Sequence, residues 1–353
     1  MGFFTFVLTI CCVPGFAAGA TVPRFALLSV VLPAFMVWHD MPIPRACLLV
    51  GAYLALMAYL SSGFYDAMAM YWQFCLLACV FCIGYAGINF RQVIIGGAIG
   101  LTINSIVVLG DGSLWHLPIV ASAWSGGLFF NHAYAVEAGA LVFAGVLCER
   151  MWWFIPGLLP TLWQGSRAPL VALGVVGVLF LWTRSRLLAI ATFCIAVAAV
   201  FLLCLYRVDM FDTLLLRIGV WQDTISGLTF FGHGLGSFIY EAPLYQTHSN
   251  ALEIRYDHPH LDLLQIAFEL GVPGIALAGA FLAYLFSGLR TTAWVVLAVF
   301  VVEGFFSCPL YMPVTGFLAA LAAGDLARCR NGLCWDFTPS RMGLFRRHAA
   351  SAH

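Results

Sequence analysis

Residues 67–88 read AMAMYWQFCLLACVFCIGYAGI, an uncharged stretch between Asp66 and Arg91. About 20 apolar residues in a helix cross the hydrocarbon core of a bilayer. Nothing in this stretch punctuates it as a loop, and its length exceeds that of a buried strand. Outward from it the chain keeps the same character. Over 353 residues it is 63% hydrophobic and only 9% charged, whereas about a quarter of a soluble domain is charged. Such a chain cannot cover a water-facing surface, so lipid must be its main solvent.

Apolar runs separated by short polar breaks predict twelve spans: 2–20, 22–38, 46–60, 67–88, 92–110, 133–148, 151–165, 168–183, 187–206, 270–289, 291–308 and 314–327. The first run has no charged segment before it and reads as a span rather than a cleaved signal. There is no repeat of 20–50 residues and no low-complexity linker, which predicts one integral membrane domain over residues 1–353. With the N-terminus inside, Arg45, Arg91, Arg150, Arg184, Arg186, Arg290, Arg328, Arg330, Arg341, Arg346 and Arg347 fall on the cytoplasmic side. Arg24, Arg167, Arg207, Arg217 and Arg255 fall outside. That bias predicts a multi-pass protein with both termini cytoplasmic.

Formal net charge is zero and every basic residue is Arg. The first observation gives no footprint for nucleic acid. The second removes a lysine nucleophile or Schiff base. Cys75, Cys79 and Cys82 share a helix face, but no His or carboxylate joins them. They read as small hydrophobes rather than a zinc site.

Charge concentrates in one external stretch, residues 207–269, which predicts an ordered loop with short helices and glycine turns at Gly232, Gly234 and Gly236. Arg217 and Trp221 are one turn apart in an amphipathic segment, 214–225. An Arg fork suits a phosphate group. Pairing with Asp212 or Asp223 would equally explain it. Arg167, between two apolar runs on the disfavoured side, is either functional or a snorkelling anchor. Further on, Asp257-His258-Pro259-His260 precedes an apolar helix, and Gly271 with Pro273 reads as its stop or kink. A neutral His260 at the water–membrane boundary can act as a general base. Asp257 and Asp262 stand near enough in sequence to orient it. Zinc binding by the histidines and aspartates, or simple helix capping, would also use these residues.

Four ordered pieces between about residues 125 and 290 resemble the O-antigen ligase and O-antigen polymerase superfamily of bacterial envelope enzymes. They are Phe130-Asn131-His132-Ala133; Gly165-Ser166-Arg167-Ala168-Pro169-Leu170; Arg217 to Trp221 with the Phe231–Phe238 glycine turn; and His260 through Gly271. In the last piece Leu261 replaces the family's usual Asn, and Asp262 is the available substitute. The resemblance implies a GT-C-like helical bundle in the bacterial inner membrane. It implies transfer of a glycan from an undecaprenyl-diphosphate carrier, on the periplasmic face, to lipid A–core, another glycan or a protein. It implies no metal and no cofactor. Carried onto this sequence, Arg167 and Arg217 bind the diphosphate and His260 is the base. Arg255, Asp262, Glu269 and Trp221 lend support, Glu269 by bracing the loop. The rival class is a secondary transporter or flippase, for which Glu137, Glu303 and Asp325 are the candidate intramembrane groups.

Overall fold

The computed structural model describes residues 1–10, 21–38, 43, 45–110, 127–129, 132–162, 167–182, 185–187, 189–190, 209–247, 257–288 and 291–331. Among them every regular element is helical. The main helices are α1 (Gly2–Ile10), α2 (Thr21–Trp38), α3 (Arg45–Tyr59), α4 (Phe64–Gly87), α5 (Phe90–Gly110), α6 (His132–Cys148), α7 (Ile155–Leu162), α8 (Arg167–Trp182), α9 (Asp209–Ser226), α10 (Phe238–Glu241), α11 (Asp262–Phe286), α12 (Thr292–Glu303) and α13 (Pro313–Arg330).

Three of these are long and apolar enough to cross a membrane: Phe64–Gly87, Phe90–Leu109 and Asp262–Phe286. Five more are apolar over 10–17 residues. This is an all-helical architecture consistent with a polytopic membrane protein, but it does not establish twelve spans. Among its described residues, 151–162, the expected span 151–165 holds a short 3-10 turn and the eight-residue α7, which is about 12 Å long. Pro156 and Pro160 each remove an N–H there. Most of the expected span 187–206 lies outside the described residues.

Glycine sets how closely the helices pack. A Cβ at Gly84 of α4 would lie 2.5 Å from the Leu321 carbonyl oxygen of α13, and one at Gly324 would lie 2.2 Å from that of Phe81. Helices α1 and α5 meet in the same way, Gly96 and Gly100 of α5 facing Gly2 and Thr9 of α1. In lipid the hydrophobic effect does not drive helices together, so close backbone approach at small residues holds such pairs. Arg24 is buried and closes α1, donating to the carbonyls of Leu8 (2.9 Å) and Thr9 (2.6 Å) while lying over the Phe129 ring. Its expected external position is therefore a structural one, since orphan carbonyls need donors.

The contacts define two ends. At one, the starts of α1 and α5 adjoin, and Arg328 approaches Gly87. There Thr292 donates to Glu149, and Asn331 bonds Tyr85 and Tyr284. Arg91, Arg150, Arg328 and Arg330 belong to this end by their places in these helices. At the other, the end of α3 and the start of α4 meet the glycine turn. The start of α11 meets the end of α12, where the Asp262 N–H donates to the Gly304 carbonyl at 2.8 Å. This second end carries the polar site.

Candidate functional site

Helix α11 breaks where the sequence predicts. Gly271 has φ 65 and ψ −161, a region open essentially to glycine alone. Pro273 has no N–H, so the Glu269 carbonyl loses its helical partner. The Val272 N–H leaves the helix for the Phe230 carbonyl (2.9 Å), which frees the Phe268 carbonyl. Buried carbonyls must be satisfied. The glycine turn does this: the N–H of His233 donates to Phe268 (3.0 Å) and that of Gly234 to Glu269 (2.9 Å). Tyr53 of α3 donates its hydroxyl to the Leu270 carbonyl at 2.8 Å. Gly232, Gly234 and Gly236 all have positive φ, which lets the turn wrap this closely. The turn is thus a backbone clamp on a broken helix.

The clamp positions a side-chain chain. Gln265 and Glu269 are four apart on the first half of α11 and share a face. The Gln265 amide N–H donates to Glu269 Oε1 at 2.9 Å, and the Gly236 N–H donates to Glu269 Oε2 at 3.0 Å. The amide oxygen then faces Nδ1 of His258 at 3.0 Å. A carbonyl oxygen only accepts, so His258 carries its proton on Nδ1 and keeps a lone pair on Nε2. Its ring stacks on Tyr311, centroids 4.9 Å apart. Burial lowers the His258 pKa, partly opposed by the hydrogen bond to Gln265. His233 is outside this chain: its Nε2 meets the Gly227 carbonyl at 2.6 Å and its ring stacks on Phe268.

A cavity of about 470 Å³ opens beside the chain, between Met70, Trp72 and Gln73 of α4 and Gly236, His258 and Glu269. Asp66 and Asp257 also border it. From sequence α4 reads only as a membrane span, and His258 only as an alternative zinc ligand or capping residue. Asp66 meets Tyr240, 174 residues away, and no local pattern announces such a pairing.

His260 is not among the residues that line this cavity. It adopts φ 53, a left-handed conformation that His enters more readily than most residues. Burial above all, then the Arg217 guanidinium and His258, push its pKa down to about 4. Arg217 is anchored near this segment by a backbone carbonyl. Its Nη1 donates to the Phe306 carbonyl at 2.7 Å. Trp221, one turn on, donates its indole N–H to the Pro259 carbonyl at 2.8 Å and so ties α9 to the histidine segment. Asp223 accepts from the N–H and hydroxyl of Thr247 at 3.1 Å. Asp262 is buried, with Oδ2 accepting from the Leu310 N–H at 3.3 Å and Oδ1 unpartnered.

The structure thus gathers Arg217, Trp221, His260 and Asp262 around the start of α11, with Glu269 two turns further along. Arg255 and the side chain of Arg167 lie outside the described residues. Glu137 and Glu303 are buried, Glu137 taking the Ser307 hydroxyl and Glu303 having no hydrogen-bond partner for either oxygen. Asp325 pairs with Arg328 at 3.0 Å near the opposite end. Among the described residues no group of three or more His, Cys, Asp or Glu is placed to hold a metal ion.

Fold and site together describe an all-helical membrane-type protein with an arginine–histidine site at one end of its helices. Residues 152–279 match the model of the family described as O-antigen ligase. That match supports membership of the O-antigen ligase superfamily, and with it ligase- or polymerase-type glycan processing at a membrane. It runs from the residues before α7 into α11 and includes Arg167, Arg217, His258, His260 and Glu269. No curated protein matches the chain.

Proposed function

We propose that this chain is a metal-independent glycosyltransferase that moves a glycan from an undecaprenyl-diphosphate carrier to an acceptor hydroxyl. The proposed place is the periplasmic face of the bacterial inner membrane, with both termini cytoplasmic. The observation that carries this reading is the pair of hydrogen bonds by which α9 meets the buried start of α11, Arg217 to the Phe306 carbonyl and Trp221 to the Pro259 carbonyl next to His260. When the sugar C1–O bond breaks, negative charge gathers on the leaving diphosphate. A fixed guanidinium in a desolvated site stabilises that charge as it develops. Arg167 is assigned to the same group, and Arg255 to its edge. The attacking hydroxyl loses its proton as it bonds to C1. A neutral imidazole is the suitable acceptor, and His260 is held neutral. Both substrates are lipid-borne or membrane-proximal, so confinement to the bilayer supplies proximity.

The test is single-turnover transfer by purified protein with lipid-linked glycan extracted from envelopes lacking the chain. Arg217→Gln and His260→Ala should each slow transfer by roughly 100-fold or more, and a chelator should leave turnover unchanged. Near-normal turnover of both folded variants would remove these roles. Polymerases and ligases share these residues; single repeat units accumulating in cells that lack the chain would mark a polymerase. A transporter or flippase is the second reading, favoured by the unpartnered carboxylate oxygens of Glu137 and Glu303 inside the helices. Uptake of labelled substrate into vesicles without diphosphate release would decide for it.

A further inference from the structure

The cavity beside α4 is chemically unlike the Arg217 side of the histidine segment. Asp66, Asp257 and Glu269 border it, and among the described residues no arginine does. A diphosphate would meet carboxylates there, so the cavity is unsuited to the charged part of a lipid-linked donor. At about 470 Å³ it falls within the range of small-molecule sites. It extends along α4 from Asp66 to Gln73, a rise of about 10 Å.

Its lining mixes donors, acceptors and apolar faces. Gln73 is held through its amide N–H by the Leu310 carbonyl at 3.2 Å, and its amide oxygen accepts. Trp72 is pinned by its indole N–H to the Ser29 hydroxyl at 2.9 Å, which fixes the ring. His258 has its Nδ1 proton committed to Gln265, and Gln265 is committed in turn to Glu269. That leaves Nε2 of His258 as a hydrogen-bond acceptor locked in one tautomer. Fixed acceptors and an aromatic face suit a neutral polyhydroxylated ring, whose hydroxyls donate and whose C–H face packs on the indole.

We infer that this cavity binds a sugar ring of the acceptor glycan, with His258, Gln73 and the two border aspartates reading its hydroxyls and Trp72 packing on its face. Its assignment to the acceptor rests on the transferase reading above; sugar binding itself does not. His258 is here a specificity residue, distinct from the base assigned to His260. The Glu269–Gln265 pair positions it.

The binding test is saturation-transfer NMR on the full chain in nanodiscs, with methyl glycosides of glucose, galactose and N-acetylglucosamine as probes. At least one should receive saturation. The Trp72→Ala and His258→Leu variants should weaken that signal roughly tenfold, as expected for loss of one packing or hydrogen-bonding contact, and Arg217→Gln should leave it intact. Trp72 is half exposed, so its truncation leaves the fold testable if His258→Leu does not express. In the transfer assay the same variants should raise the acceptor KM and leave the donor KM unchanged. Glycoside binding that survives both variants, or is absent from the wild type, overturns the cavity assignment. A raised donor KM with an unchanged acceptor KM overturns its assignment to the acceptor. Glycoside binding without any transfer leaves the cavity site standing and sinks the transferase reading alone.

Discussion

His260 and Glu269 show how residues of ordinary type acquire particular roles from their surroundings. Free histidine titrates near pH 6.5, whereas His260 is pushed down to about 4 by burial, Arg217 and His258. Replacing Arg217 by Gln should raise its pKa toward the ordinary value, read by NMR of labelled histidine; an unmoved titration would place Arg217 elsewhere. The sign for stability follows from linkage. Between about pH 6.5 and 4 the unfolded chain holds a proton at this position that the folded chain lacks. His260 therefore supports folding fully above pH 6.5, and that support fades as the pH falls to about 4. Thermal unfolding followed from pH 7 to pH 4 should fall less steeply for His260→Asn than for the wild type. Glu269→Leu should weaken the fold by roughly 1–3 kcal/mol, since it strands the Gln265 amide and the Gly236 N–H without an acceptor. A denaturation midpoint equal to that of the wild type would contradict this.

At the level of elements, the break in α11 was legible because Gly-Val-Pro is a local signal: one residue permits the conformation and another removes a donor. The amphipathic segment 214–225 was legible for the same reason, and it lies within α9. The clamp that satisfies the broken helix was not. The partnership of Gly232 with Gly271 joins segments about forty residues apart, and nothing in the spacing of either announces the other. For residues 151–165 hydropathy counts apolar side chains but ignores the two prolines, and the described part holds a 3-10 turn and the short α7. Gly271→Ala should be severe. It forces a side chain into a glycine-only region and against the Phe230 carbonyl, 2.2 Å from the added Cβ. A loss of at least about 2 kcal/mol is expected in thermal or denaturant unfolding. Gly84→Leu should likewise part α4 from α13, whereas Gly51→Ala meets no atom within 4 Å and should be neutral.

For the whole molecule, low charge and long apolar runs made a helical membrane-type protein legible, and among the described residues three helices are long and apolar enough to cross a membrane. The cavity was invisible because it needs Asp66, Trp72 and Gln73 brought beside His258, a juxtaposition only the packed bundle creates. Gly2 and Asn331 both sit at the end holding Arg91, Arg150, Arg328 and Arg330, the end that the proposed orientation puts in the cytoplasm. An alkaline phosphatase reporter joined after Asn331 should be inactive, as expected in the cytoplasm, and one inserted after Leu244 should be active. The reverse pattern would invert the proposed orientation.

The interlock of the glycine turn with α11 has a consequence for biogenesis. A ribosome releases residues 230–236 well before the carbonyls of Phe268 and Glu269 exist. Until then the amides of His233 and Gly234 have only water to bond. The turn must therefore stay wet at first and set only when α11 arrives. A nascent chain arrested before residue 262 should be cut by protease within this turn, and the finished chain should resist.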